Sequence, residues 1–199
     1  VETDGLDWYD GKLRLVQFGT LTEGWAVPFE QFPFVVREAL KILTERRTHL
    51  VGHNMKFDLH WLERHAGFVV PDWALIHDTM LLAGVVSSSG SKGLKDLAEH
   101  YVHPLAKAGQ SALKADMDRG GWTWGTVPID LQSYWLYGVL DTILTVHLPA
   151  ILQRQEPGSH NQGLSSQVER LERELITEAL RQSRGNQSKA AQLLDTSLR

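Results

Sequence analysis

The feature that most constrains the fold is an early change of hydrophobic period. Leu13, Leu15 and Gln17 alternate with Arg14, Val16 and Phe18. A second extended run, Trp25 to Phe29, follows the turn-like Thr22-Glu23-Gly24. Period-two patterning on both sides of a short turn predicts a β-hairpin. From Phe34 to Arg47 the spacing becomes helical, through Val35, Ala39, Ile42 and Leu43. His49 to Asn54 then reads as a short buried strand and Met55 to Gly67 as a helix. Ile76 to Val86 reads as a strand end or helix, Gly93 to Tyr101 as a helix, and Ile129 to Gln155, after Pro128, as a long helix. A hairpin followed by alternating helices and strands predicts an α/β fold around a mixed sheet.

Composition adds limits. The 199 residues are 42% hydrophobic and 22% charged, within the ordinary globular range. Without cysteine there can be no disulfide, thiol nucleophile or zinc–thiolate centre. No unbroken apolar run approaches the roughly 18–20 residues of a bilayer span, so no membrane partner is expected. The net charge of −4 provides no global basic field for nucleic acid. Bound metal ions can nevertheless hold phosphates on an acidic protein. Aromatic residues are frequent early in the chain and absent after His160. The expected organisation is a domain over 1–156, a linker over 157–164 and a helical appendage over 165–199. Gly158-Ser159-His160 within the linker is similar to the remnant of a cleaved affinity tag.

Three segments carry chemistry. Glu2-Thr3-Asp4-Gly5-Leu6 opens the chain. Gly52-His53-Asn54-Met55-Lys56-Phe57-Asp58 runs from strand into helix. Tyr137-Gly138-Val139-Leu140-Asp141 lies inside the long helix, where Tyr137 and Asp141 share one face. Taken singly, Asp58 is an ordinary first-turn acid and a Tyr/Asp pair is ordinary surface decoration. Together, acids placed this way can converge at the end of a sheet and hold hard divalent cations through oxygen.

These segments resemble the three motifs of the DEDDy-type 3′–5′ exonucleases, in particular the proofreading domains of family-A DNA polymerases. The first motif, Asp-x-Glu-Thr-x-x-Leu, is matched by Glu2, Thr3 and Leu6, its aspartate falling one position ahead of Val1. The second, Asn-x-x-(Phe/Tyr)-Asp, is matched by Asn54, Phe57 and Asp58. The third, Tyr-x-x-x-Asp, is matched by Tyr137 and Asp141. His77-Asp78-Thr79-Met80-Leu81 and Gly93-Leu94-Lys95-Asp96-Leu97-Ala98 are similar to accessory stretches of the same family. The resemblance implies a ribonuclease H-like mixed five-stranded sheet flanked by helices. It implies two divalent ions, Mg²⁺ or Mn²⁺, held by Glu2, Asp58 and Asp141, with Tyr137 and Glu2 orienting the attacking water. It implies Thr3, Leu6, Asn54 and Phe57 as substrate-binding residues: Leu6 as a wedge beside the terminal base, Asn54 bonding the substrate backbone or a ligand carboxylate, and Phe57 packing behind the metal site before stacking on a base. The implied partners are a single-stranded DNA 3′ end and a polymerase domain of the parent protein. The implied setting is the cytoplasm of a bacterium or phage-infected host. Asp4 lies on the far side of Glu2 and cannot replace the first aspartate. An inactive exonuclease-fold module that binds nucleic acid or serves structurally is the alternative.

The histidines, including His49, His53, His60 and His65, match no zinc spacing and read as structural or surface groups. Trp122 and Trp124 read as core packing before a stacking platform. Beyond residue 164, Ser166 and Glu169 form a capping-box pattern, and Val168, Leu171, Leu175, Ile176, Ala179 and Leu180 an apolar stripe. Gly185-Asn186-Gln187-Ser188-Lys189-Ala190-Ala191-Gln192-Leu193-Leu194 resembles the Fis-type helix-turn-helix. In that family the next helix enters the major groove. It would lie past Arg199, so a homodimer through 165–199 is expected before sequence-specific DNA binding. A dimerising regulator fragment is the corresponding alternative function.

Overall fold

A computed structural model describes residues 1–154. The linker, the appendage and the homodimer expected of it fall on 157–199, outside the described residues. The hairpin forms as its alternation dictates. β1 (Glu2–Thr3), β2 (Leu13–Gly19) and β3 (Gly24–Pro28) make an antiparallel sheet in that order. Leu13, Leu15 and Val16 turn into the core. α1 (Pro33–Glu45) follows, with Pro33 at its first position, where a missing N–H costs nothing. Its inward face is Val36 and Leu40; Val35 and Ile42, expected inside, are half-exposed. The helical spacing was therefore read correctly and its phase was not, because the run holds apolar residues on two faces.

β4 (Leu50–Gly52) pairs in parallel with β5 (Ile76–Asp78). Between them α2 (Met55–Trp61) continues into a wider π-helical turn, Leu62–Ala66, that closes on Gly67 at φ 72°. A short 3₁₀ turn, Trp73–Leu75, leads into β5, and α3 (Thr79–Val86) starts directly from it. α4 (Leu94–Tyr101), α5 (Ala108–Gly120), which the sequence pattern did not announce, and α6 (Gln132–Leu152) complete the described chain.

The expected single five-stranded sheet is not seen as one ladder among the described residues. Among the described residues the strands fall into a three-stranded antiparallel sheet and a separate two-stranded parallel one. β1 is the reason. It is two residues long, pairs only with β2 (Glu2 opposite Leu15, Thr3 opposite Leu13), and its register is irregular. No ladder therefore links it to β4. The mixed α/β class holds, with helices packed on both sheets.

α6 ties the pieces together. It packs on β2, β3, β4, α3, α4 and α5. By length and composition alone α6 could cross a membrane, its most apolar window having a mean hydropathy of 1.4. The expectation that nothing approaches a span is corrected to that extent: its polar residues interrupt the run without lowering the average enough. Close approach to the sheet needs absent side chains. A Cβ on Gly138 would stand 2.5 Å from Gln17 Nε2, and one on Gly19 would stand 2.3 Å from Thr142 Oγ1. Leu148 and Leu152 of α6 close a core with Ala83, Val86 and Leu97 from α3 and α4. Because Leu148 is fully buried there, Leu148→Ala should cost about 2–5 kcal/mol through lost burial and the cavity left behind, measured by urea unfolding.

Candidate active site

The residues singled out in the sequence arrive from separate elements. Glu2 lies on β1, Asp58 in the first turn of α2, and Tyr137 and Asp141 one turn apart on α6. All four line one cleft of about 590 Å³, together with Val1, Gln17, His53, Asn54 and Phe57. The cleft lies between the paired strands β1 and β2 on one side and β4 and α6 on the other.

Local structure explains each placement. Asn54 caps the start of α2 at φ 57°, a left-handed conformation that Asn tolerates better than most residues, and its own side chain makes no capping bond. The capping acceptor is Asp78. Its carboxylate accepts from the backbone N–H of Asn54 and Met55 at 3.1 and 2.8 Å. The same group caps α3, accepting from Met80 and Leu81 at 2.8 and 3.4 Å. One acid thus neutralises two positive helix ends and sets where α2, and hence Asp58, begins. Along the sequence Asp78 stands out only as part of an accessory stretch. Its signal was an acid immediately before a helical run, a cap pattern that cannot reveal a second client helix.

Charges are compensated closely. The Val1 amino nitrogen lies 2.5 Å from Asp58 Oδ1. The Lys95 ammonium pairs with Asp141. Gln17 Nε2–H donates to Glu2 Oε1 at 3.1 Å. Burial pushes the Glu2 carboxyl up to about 7; Asp58 adds to the rise, while the Val1 ammonium, Lys95 and Gln17 oppose it. Burial lowers Lys95 to about 8 against the pull of Glu2. Burial, reinforced by Glu2, raises Tyr137 well above its ordinary value, so its hydroxyl keeps its proton.

The other candidates are placed unevenly. Leu6 is 85% exposed on the loop after β1 and does not line the cleft. Thr3 is buried in the sheet, where its hydroxyl donates to the Gly5 carbonyl at 2.6 Å. It shapes the loop that carries Leu6 and does not face the opening. Phe57 packs against the core beside Trp61, at 6.0 Å between ring centroids. Asp4 turns away, accepting from the Lys12 N–H at 2.7 Å. Trp122 and Trp124 pack on the core around Leu113 and Tyr134, and Trp124 reaches Tyr137 at 5.8 Å. The histidines make separate contacts: His49 stacks on His77, His53 Nδ1 lies 2.9 Å from the Thr79 hydroxyl, and His60 stacks on Trp8.

Hard carboxylate oxygens are the donors that Mg²⁺ or Mn²⁺ requires. Among the described residues no three acidic or histidine side chains already stand as a closed metal cage. Lys95 pairs with Asp141 instead, and Asp141 Oδ1 is buried with no hydrogen-bond partner beyond that ammonium. Carboxylate oxygens gathered in a poorly solvated cleft fit divalent cations in their chemistry.

Two predictions follow from this electrostatics. Glu2 holds its proton more tightly folded, at about 7, than at its ordinary 4.5. Its contribution to stability is therefore full below about pH 4.5 and lost as pH rises through about 7. In chelator, stability should fall across that window in the native chain, and Glu2→Gln should lack that part of the slope. Asp78→Ala removes the cap from two helices and should cost about 1–3 kcal/mol in urea unfolding.

Comparison with known proteins places this geometry. The sequence model of the family described as 3′–5′ exonuclease, of DNA polymerase A, matches residues 1–156. A second, described as bacterial regulatory protein of the Fis family, matches residues 167–199. The DNA polymerase of Mycobacterium phage D29 is 30% identical over 165 residues, covering 76% of this chain and 27% of that protein. The DNA polymerase of Mycobacterium phage L5 is 30% identical over 161 residues, covering 74% and 27%. The DNA polymerase of Escherichia phage T5 is 33% identical over 120 residues, covering 54% and 14%. The chain thus spans about a quarter of the length of the first two relatives. No solved structure matches it. The motifs, the cleft they share and the match over residues 1–156 lead to one conclusion: the chain belongs to the 3′–5′ exonuclease family of DNA polymerase A.

Proposed function

We propose that residues 1–156 remove nucleoside 5′-monophosphates, one at a time, from single-stranded or frayed DNA 3′ ends, as the proofreading unit of a polymerase. The observation that carries this reading is the convergence of Glu2, Asp58, Tyr137 and Asp141 on one cleft from separate elements. The relatives are named as DNA polymerases, which supports DNA as substrate and a polymerase domain in the parent protein.

Two divalent cations held by Glu2, Asp58 and Asp141 would neutralise the scissile phosphate and supply a hydroxide at neutral pH. The chain's own groups have distinct tasks. Tyr137 keeps its proton and is suited to orient a water by hydrogen bonding, not to act as a base. Glu2, fixed by Gln17, offers the second oxygen for that water. Asn54 at the cleft is within the lining that a sugar–phosphate backbone would follow, whereas Leu6 lies on an exposed loop outside it. Phe57 and Trp61 stiffen the wall behind Asp58. Frayed ends suit such a site, because unpaired bases can splay and stack. Contacts to backbone carry no base information, so sequence preference is slight.

The test is a 5′-labelled single strand with Mg²⁺ or Mn²⁺. Stepwise shortening from the 3′ end is expected. Asp141→Ala and Asp58→Ala should each lower the rate at least about a hundredfold, more than the loss of a supporting residue around a metal. Intact oligonucleotide with the unaltered chain, or shortening that both variants leave unchanged, would refute the assignment.

A further inference from the structure

Lys95 opens the first turn of α4, yet it does not share the chemistry of that helix's outer face. There Asp96 and Glu99 pair with Lys107 at 2.8 and 2.7 Å, and Asp96 also accepts from Ser91 at 2.6 Å. Lys95 points the other way. Its side chain is 11% exposed, its ammonium pairs with Asp141, and its nitrogen stands 4.6 Å from the centre of the Tyr137 ring. Glu2 adds its attraction. One lysine therefore serves three of the four groups that define the cleft.

The pair is buried without further support. Lys95 Nζ and Asp141 Oδ1 are both buried, and neither has a hydrogen-bond partner beyond the other. Buried ion pairs repay their desolvation only with good geometry and further hydrogen bonds, and apolar residues of similar size usually stabilise as well or better. A buried pair with no supporting bonds is poor glue. It does suit a contact that is made and exchanged.

We propose that Lys95 is a positioning residue that stands in for a divalent cation at Asp141, so that cation capture proceeds by displacing its ammonium. The inference rests on the reading of Asp141 as a cation ligand. In the cation-free protein Lys95 supplies the positive charge that Asp141 and Glu2 need and keeps α4 against α6. When a cation takes Asp141, the like charge of Lys95 is repelled and the ammonium moves toward solvent or toward an incoming phosphate. The site is thereby kept assembled, and selective for a dication over monovalent ions, which cannot outcompete a tethered ammonium.

The experiment uses the full chain with Mn²⁺ and no DNA, so it is independent of nuclease activity. Free Mn²⁺ is counted by its paramagnetic resonance signal during titration. Lys95→Met should tighten the Asp141-dependent Mn²⁺ affinity by about tenfold, as expected from removing one competing charged contact. Lys95→Arg should stay near the native value. Affinity that is unchanged or weaker in Lys95→Met overturns the proposal, since a merely structural lysine would give that result. A second measurement needs no variant. Limited acetylation with an amine-reactive ester, mapped by mass spectrometry, should label Lys95 faster when Mn²⁺ is present. Equal or slower labelling overturns the proposal even if Lys95→Met fails to fold. Mn²⁺ binding that Asp141→Ala leaves untouched removes the cation-ligand reading itself, and this proposal with it, and is told apart from the Lys95 results by that variant.

Discussion

Burial of α6 is the constraint on which the other elements depend. The helix is apolar over most of its surface and would be costly in water along its whole length. Both sheets and three helices cover it. Gly19 and Gly138 allow that cover to come close, since a side chain at either would collide with its neighbour. Tyr137 and Asp141 ride on this helix. The site inherits its rigidity from a core whose purpose, energetically, is to keep α6 dry.

Concentrating carboxylates beside such a core raises a second demand. Like charges in a poorly solvated cleft repel, and burial, with Asp58 adding to it, drives Glu2 to hold a proton near neutral pH. Lys95, set against Asp141, supplies one compensating cation. A cleft that gathers buried carboxylates is, in these terms, a fold that has accepted an electrostatic deficit. The Asp78 carboxylate solves a smaller version of the same problem, its charge being shared between two helix N-termini.

Much was legible along the chain because it is local. The alternation over Leu13 to Phe18 gave β2, and the Tyr137/Asp141 spacing put both on one helical face. Where patterns were ambiguous, reading failed for physical reasons. α1 holds apolar residues on two faces, so Val36 and Leu40 could not be separated from Val35 and Ile42 until packing chose. α5 has weak amphipathic contrast and buries Gly109, Leu113 and Met117, of which the glycine carries no hydrophobic signal. Thr3 was placed by motif, yet its hydroxyl turned inward to Gly5. The split into two sheets depends on pairing between strands remote in sequence, which no local period encodes.

The sequence by itself determined the class of fold, the carriers of charge and their motif relationships, because periodicity, residue chemistry and spacing are properties of short segments. Only the tertiary structure decided which face of α1 is covered, that β1 stops short of β4, that Asp78 serves two helices, and that Lys95 sits on Asp141. Each of these is a contact between residues far apart in the chain. Their energies come from burial and charge compensation, which exist only after the chain has folded.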